Sequence, residues 1–296
     1  MSTTAHPDPE DTVDLDKHTP ATATRSPAFG APAAVRATGV SKTFGSRKNQ
    51  VVALSEVDLT VEAGEFVALI GPSGCGKSTL MRLVADLEKP SSGTLEVFGK
   101  PASQARTDQD YGIAFQQAGL LPWRTVAGNI SLPLELHGAS RSERKQRVAE
   151  LVELVGLSDF AKHRPDQLSG GMQQRVAIAR SLAERPRLLL MDEPFGALDE
   201  MTRERMQAEL ARISVETGAA VVFVTHSIPE AVFLSDRVVV MSPRPGQITE
   251  TVQVRLGDHR DDALREDATF FERVTAVRAA LHGTPEHSAA RGAETR

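Results

Sequence analysis

The segment Gly71-Pro72-Ser73-Gly74-Cys75-Gly76-Lys77-Ser78 constrains this chain more than any other stretch. It has the spacing of a phosphate-binding loop, and its flanks supply the context such a loop needs. The apolar run 65–70 leads in as a strand, and Lys77–Val84 leaves as an amphipathic helix that begins Lys77-Ser78-Thr79. Glycines let the backbone curl so that successive N–H groups face a polyphosphate. The helix start adds the positive end of its dipole. Lys77 is expected beside the outer phosphates, with Ser78 offering its hydroxyl to Mg²⁺. A glycine-rich turn with no ligand would need neither flank.

The length of 296 residues suits one large domain or two modest ones. With 40% apolar residues there is material for a real core, and 25% charged residues is ordinary for a globular chain. A net charge of −5 with no dense Lys/Arg block leaves no footprint for nucleic acid. Apolar runs such as 188–191 are strand-sized, far short of a membrane span. The first residues lack the apolar core of a signal peptide, so the chain is expected in the cytoplasm. The single cysteine, Cys75, excludes an internal disulfide and any multi-cysteine metal site. Cys75 reads as a small filler within the loop. Its place beside Lys77 and a helix start also favours the thiolate, so a bulky maleimide is expected to reach it and abolish ATP binding.

Residues 1–34 are rich in Ala, Thr, Pro and acidic side chains and read as a disordered tail. Alternation over Val35–Phe44 and over 57–61 predicts strands of an antiparallel sheet, joined by 93–99. Residues 118–165 turn helical in character. Ser140 and Glu143 form a capping box ahead of Val148, Leu151, Val152 and Val155, and Gly156 suits the helix end. Helices near 170–184 and 200–215 then alternate with strands at 187–191 and 220–225. That alternation predicts an α/β fold with a parallel sheet covered by helices. Two more strands, Arg237–Met241 and 248–254, close it. Phe270, Val274, Val277 and Leu281 form a stripe expected to pack on the core. The last dozen residues read as frayed, and no internal repeat is visible.

A phosphate loop alone does not name a function. The run Leu188-Leu189-Leu190-Met191-Asp192-Glu193 adds a buried strand ending in two carboxylates. Strand ends are where α/β sheets bind ligands. Asp192 is expected to hold Mg²⁺ and Glu193 to polarise an attacking water. The run Leu168-Ser169-Gly170-Gly171-Met172-Gln173-Gln174-Arg175 opens a helix with a capping serine and two glycines that bare backbone amides. One ATP does not need two such helix starts from one chain, which suggests a phosphate contact made in trans by a symmetric partner.

With these three stretches in this order, the chain resembles the ATP-binding subunit of an ABC transporter, from about residue 35 to 254. The resemblance implies a P-loop cassette with a parallel-sheet core, an antiparallel β subdomain and a helical subdomain at about 118–170. It places the cassette at 35–258 and a C-terminal helix and tail at 259–296. It implies that Phe44 stacks on adenine and that Gln116 senses the γ-phosphate and Mg²⁺. It places Asp199 in the loop that joins two subunits, and makes His226 the switch histidine that works with Glu193. Alone, these four would pass as a core phenylalanine, a surface residue, a helix cap and a structural histidine. Met172 stands where many members carry glutamine.

The resemblance further implies a homodimer in which Ser169, Gly170 and Gly171 of each copy meet the other's MgATP. It implies two transmembrane permease subunits as partners, an indirect solute-binding protein, and a place on the cytoplasmic face of the membrane. Leu120, Leu121, Pro122 and Trp123 would offer apolar area to the permease, or else pack inside the helical part. The strings 119–123, 194–199 and 234–246 resemble the nitrate, sulfonate and taurine importers, with a lean to aliphatic sulfonates. Two departures are Ala85-Asp86-Leu87, where that branch usually carries Ala-Gly-Leu, and Ser227-Ile228-Pro229-Glu230 after the histidine. Vitamin-precursor importers, exporter ATPases and soluble ABC ATPases acting on ribosomes or DNA are the alternatives. The last group usually carries tandem cassettes or long coiled-coil insertions, neither of which occurs here.

Overall fold

A computed structural model describes residues 32–46, 49–257 and 260–283. The predicted tail before residue 32 and the frayed end after 283 lie outside the described residues. Ala33 and Ala34, read as the last of that tail, are buried, and the Ala34 carbonyl accepts from Phe98 N at 3.2 Å.

The strands are β1 (Val35–Phe44), β2 (Val51–Val61), β3 (Phe66–Ile70), β4 (Ser92–Val97), β5 (Lys100–Pro101), β6 (Tyr111–Ala114), β7 (Leu188–Asp192), β8 (Ala220–Val224), β9 (Arg237–Met241) and β10 (Ile248–Gln253). The helices are α1 (Lys77–Val84), α2 (Ala102–Thr107), α3 (Val126–Leu136), α4 (Arg141–Leu154), α5 (Gly170–Ser181), α6 (Glu200–Thr217), α7 (Ile228–Leu234) and α8 (Ala268–His282). A four-stranded sheet has the order β2-β1-β4-β5, and a six-stranded sheet the order β10-β9-β3-β8-β7-β6. The first is antiparallel throughout. In the second, β9, β3, β8, β7 and β6 run parallel, and β10 returns antiparallel on β9.

Strands β3, β7 and β8 are buried at every residue, as parallel strands covered on both faces must be. Their alternate side chains enter two different cores. Val67, Leu69, Leu190 and Val222 face the antiparallel sheet and α1. Phe66, Ala68, Leu189, Met191 and Phe223 face the helical side. There Phe223 meets Phe66 and Phe195 at ring-centroid distances of 5.9 and 5.7 Å. Truncating such a ring to alanine costs about 3–5 kcal/mol.

The capping box at Ser140 and Glu143 forms as predicted and starts α4. Gly156, with φ of 63°, follows the end of that helix. The stripe on α8 packs as expected: Phe270, Val274 and Val277 are buried in the helical-side core and Leu281 lies against it. Trp123 differs from the core-packing alternative, because it is 68% exposed. The buried Asn129 holds the loop that carries it. Its Oδ1 accepts from Leu121 N at 2.8 Å and its Nδ2 donates to the carbonyls of Leu121, Arg124 and Thr125.

One departure from the branch pattern has a structural counterpart. Asp86 sits at φ 52°, a conformation that glycine adopts freely and an L-residue adopts at a cost. Its carboxylate pairs with Lys89 and, at 3.1 Å, with Arg106. Burial opposes its ionisation, but these two cations outweigh it and hold the carboxyl below its ordinary range.

Candidate functional site

Parallel pairing brings the C-terminal ends of β3, β8, β7 and β6 to one edge of the sheet. The loop after β3 is the predicted phosphate loop, and it runs directly into α1. Two glycines there are required by geometry. A Cβ on Gly71 would stand 2.7 Å from the Met241 carbonyl oxygen. Gly76 has φ of 104°, and a Cβ there would stand 2.6 Å from a Leu54 methyl. Lys77 is only 7% exposed, and its ammonium spans the bend by donating to the carbonyls of Gly71 (2.8 Å) and Pro72 (2.9 Å).

A cleft of about 450 Å³ opens over this loop. Ser73, Gly74, Gly76, Lys77, Ser78 and Thr79 form its floor, Phe44 and Val51 stand at one side, and Gln116 and Glu193 also line it. Phe44 is 38% exposed, so it is a cleft wall and not the core residue its type alone suggests. Gly71, Pro72 and Cys75 do not line the cleft. Cys75 is 0% exposed and belongs to the core under the antiparallel sheet. The expectation of a maleimide-reactive thiol is therefore wrong, since this loop position turns its side chain toward the core and closes it to a bulky reagent.

The carboxylates at the end of β7 diverge. Asp192, 4% exposed, accepts a hydrogen bond from the Ser78 hydroxyl at 2.9 Å. Burial pushes its carboxyl above the ordinary range and the neighbouring Glu193 adds to that, while the Ser78 bond opposes it. Glu193 turns the other way. Its φ of 46° is left-handed and its N–H donates to Val224 O on β8 at 2.8 Å. Such a non-glycine conformation costs about 1–3 kcal/mol and persists only where its surroundings enforce it. The turn aims Glu193 Oε2 at two partners. Gln116 Nε2 donates to it at 3.1 Å, and His226 Nδ1 lies 3.3 Å away. The ends of β6, β7 and β8 thus converge on one carboxylate oxygen.

The Ser-Gly-Gly helix start at residues 169–171 lies elsewhere. Ser169 caps α5 by accepting from Met172 N at 3.2 Å. Ser169 and Gly170 are exposed, and a Cβ on Gly170 would meet nothing within 4 Å. Neither Gly171 nor Met172 lines the cleft of the same chain. Asp199 caps α6, accepting from Thr202 N at 3.0 Å, and is exposed.

Arg244 lines the cleft and was not expected there. Its loop is clamped to β2: Gly246 N donates to Ala53 O at 2.9 Å and Ser55 N to Gly246 O at 3.1 Å. A Cβ on Gly246 would stand 1.9 Å from the Cys75 carbonyl oxygen, so only glycine permits this approach. Nη2 of Arg244 comes within 3.5 Å of the Cβ position of Gly74. An arginine between two prolines beside a glycine was the available signal.

Comparison with known proteins agrees with this geometry. The family model described as "ABC transporter" matches residues 54–196. An uncharacterised ABC transporter ATP-binding protein of Methanocaldococcus jannaschii is 47% identical over 238 residues, covering 80% of this chain and 88% of that protein. A nitrate import ATP-binding protein of Synechocystis sp. is 42% identical over 83% of this chain and 94% of its own length. A taurine import ATP-binding protein of Yersinia pestis is 43% identical over 75% and 88%. Among solved structures, a dimeric ATP-binding cassette in a post-hydrolysis state, bound to ADP and Pi, matches with a TM-score of 0.70 and 36% identity, covering 75% of this chain and 99% of that one. The chain belongs to the ABC transporter family, among its ATP-binding, ATP-hydrolysing subunits.

Proposed function

We propose that this chain is the energy-coupling ATPase of an importer for small anions, working as a homodimer beneath two permease subunits. The observation that carries this reading is the convergence of Gln116, Glu193 and His226 beside the phosphate loop. In it, Glu193 takes a proton from the attacking water and His226 holds that water and the γ-phosphate. Phe44 stacks on adenine, and the backbone amides of residues 71–76 with Lys77 take the phosphates.

Mg²⁺ fits the oxygen donors of Ser78 and Asp192, with Gln116 at the rim; hard oxygen ligands suit that ion. Asp192 is a buried carboxylate that burial pushes toward its neutral form, so a cation beside it would stabilise its charge. Among the described residues no cluster of three or more His, Cys, Asp or Glu could enclose a metal, so the remaining ligands would come from phosphate and water. When bound, the ion neutralises phosphate charge; Ser78 and Asp192 orient it.

Ser169 and Gly170, which are exposed, and the half-buried Gly171 serve the ATP of a second copy, and Asp199 lies at that joint. A dimeric cassette among the structural relatives supports this. Trp123 offers apolar area to the permease. No helix among the described residues is long and apolar enough to cross a membrane. In this reading the chain attaches through the permease, at the cytoplasmic face. A solute-binding protein would then act only indirectly. The division into a cassette at 35–258, with a helical part at 118–170, and a C-terminal stretch at 259–296 belongs to the same reading. Relatives named for nitrate and for taurine support a small-anion cargo, and aliphatic sulfonates are our finer choice.

The test is Glu193→Gln. It keeps ATP affinity within about twofold, while hydrolysis falls by about 10²–10⁴-fold, the span of general-base catalysis. Full turnover in that variant would remove the assignment. Co-purified permease and binding proteins loaded with sulfonate, nitrate or taurine then rank the cargo by ATPase stimulation.

A further inference from the structure

His226 projects from the end of β8 with its side chain 71% exposed, so its own contacts do little to hold it. The residues on either side of it are held firmly. Thr225 Oγ1 donates to Glu230 Oε2 at 2.5 Å and accepts from Ser227 N at 3.0 Å. Ser227 Oγ in turn accepts from Glu230 N at 3.4 Å. Glu230 is 7% exposed, and a buried carboxylate needs every lone pair aimed at a donor. Its other oxygen, Oε1, accepts from Gln207 Nε2 on α6 at 2.9 Å.

Gln207, 3% exposed, can present either end of its amide to that carboxylate. Only the NH₂ end stabilises it, and the oxygen end repels it. What selects the orientation is Arg265, whose Nη2 donates to Gln207 Oε1 at 2.7 Å. The Arg265 guanidinium also lies over the Phe233 ring at 3.8 Å, on the helix that starts just after His226. Arg265 belongs to a short 3₁₀ turn, Asp262–Glu266, that precedes α8. It reaches neither the cleft nor the phosphate loop.

We infer that Arg265 is a positioning residue for His226, acting through Gln207, Glu230 and Thr225. The C-terminal stretch thereby holds the switch histidine against Glu193 and couples the state of that stretch to hydrolysis. This rests on the proposed role of His226. Losing Arg265 frees the Gln207 amide to rotate, Glu230 loses a fixed donor, and the segment 225–227 gains freedom at the point where His226 must be held.

The experiment is steady-state ATPase and equilibrium ATP binding on the full chain carrying Arg265→Met, Arg265→Lys, His226→Ala and the double variant. Arg265→Met keeps apolar contact with Phe233 but cannot donate to Gln207. We expect it to lower kcat about tenfold, in line with one hydrogen bond to a charged group, with ATP affinity within twofold. Arg265→Lys recovers part of the loss. In the His226→Ala background, Arg265→Met costs nothing further, a non-additivity that a merely structural role would not produce. An unchanged kcat for Arg265→Met, or fully additive losses in the double variant, overturns the inference and leaves the function standing. A His226→Ala variant as fast as the unaltered protein overturns both.

Discussion

The molecule presents two glycine-bearing helix starts, and they are built for different situations. The start of α1 is enclosed. Lys77 is buried, Gly76 is wedged against Leu54, and a cleft lined also by Phe44, Gln116, Glu193 and Arg244 lies above. The start of α5 is open. Ser169 caps it in solvent, Gly170 faces empty space, and none of its residues lines the cleft. Both can offer amides to an anion. The first has its own cation, wall and carboxylate gathered around one cleft; the second lines no part of that cleft. A helix start so bare needs a second surface to complete a phosphate site, and in the proposed dimer the cleft of another copy is that surface.

The contrast can be broken from either side. The largest expected effect comes from the enclosed site. Lys77→Ala should weaken ATP binding about 100-fold, because charged hydrogen bonds to phosphate are worth about 1.5–3 kcal/mol each. Fluorescent-nucleotide titration reads this directly. Next, Ser169→Arg should leave ATP affinity within twofold yet lower hydrolysis at least tenfold, since in the proposed dimer it blocks only the surface offered to a partner. Equal losses of affinity in both variants would erase the distinction. A smaller effect is expected from Arg244→Ala. Its guanidinium has no hydrogen bond or ion pair among the described residues and stands over Gly74, so its loss should weaken ATP about tenfold, with partial recovery by Arg244→Lys.

The smallest concerns stability. Asp86→Asn should cost less than about 1 kcal/mol at neutral pH by chemical denaturation, as exposed cations pair with this carboxylate. The sign follows from the lowered folded-state pKa of Asp86. Its contribution is present above the unfolded carboxylate value of about 3.9 and is lost as pH falls through the lower folded value. The two proteins should therefore converge in stability in strong acid.

Much of this architecture was legible because the strands that position the site are long apolar runs. The strands β3, β7 and β8 need burial on both faces, and their composition says so. Strand β6 was missed for the opposite reason: it has four residues and includes Gly112, where a Cβ would stand 2.0 Å from the Ser181 carbonyl. There the glycine serves close packing on α5 and breaks no strand. Helix α7 was missed because seven residues carry too little periodicity. Within the site, residues next to one another in a motif were readable. Pairings across long sequence separations were not, as with Gln116 on Glu193, Arg265 on Gln207 and Arg244 over Gly74. Cys75 marks a further limit, because position within a loop does not say which way a side chain turns. Asp86 shows that a backbone demand for glycine can be met by an aspartate that gains two cations.

The complementarity of the two helix starts is tested most directly by the mass of Glu193→Gln in solution, measured by light scattering with and without saturating MgATP. A nucleotide-dependent dimer that Ser169→Arg abolishes is the expected result. A protein that stays monomeric at every nucleotide concentration while binding ATP normally would contradict it.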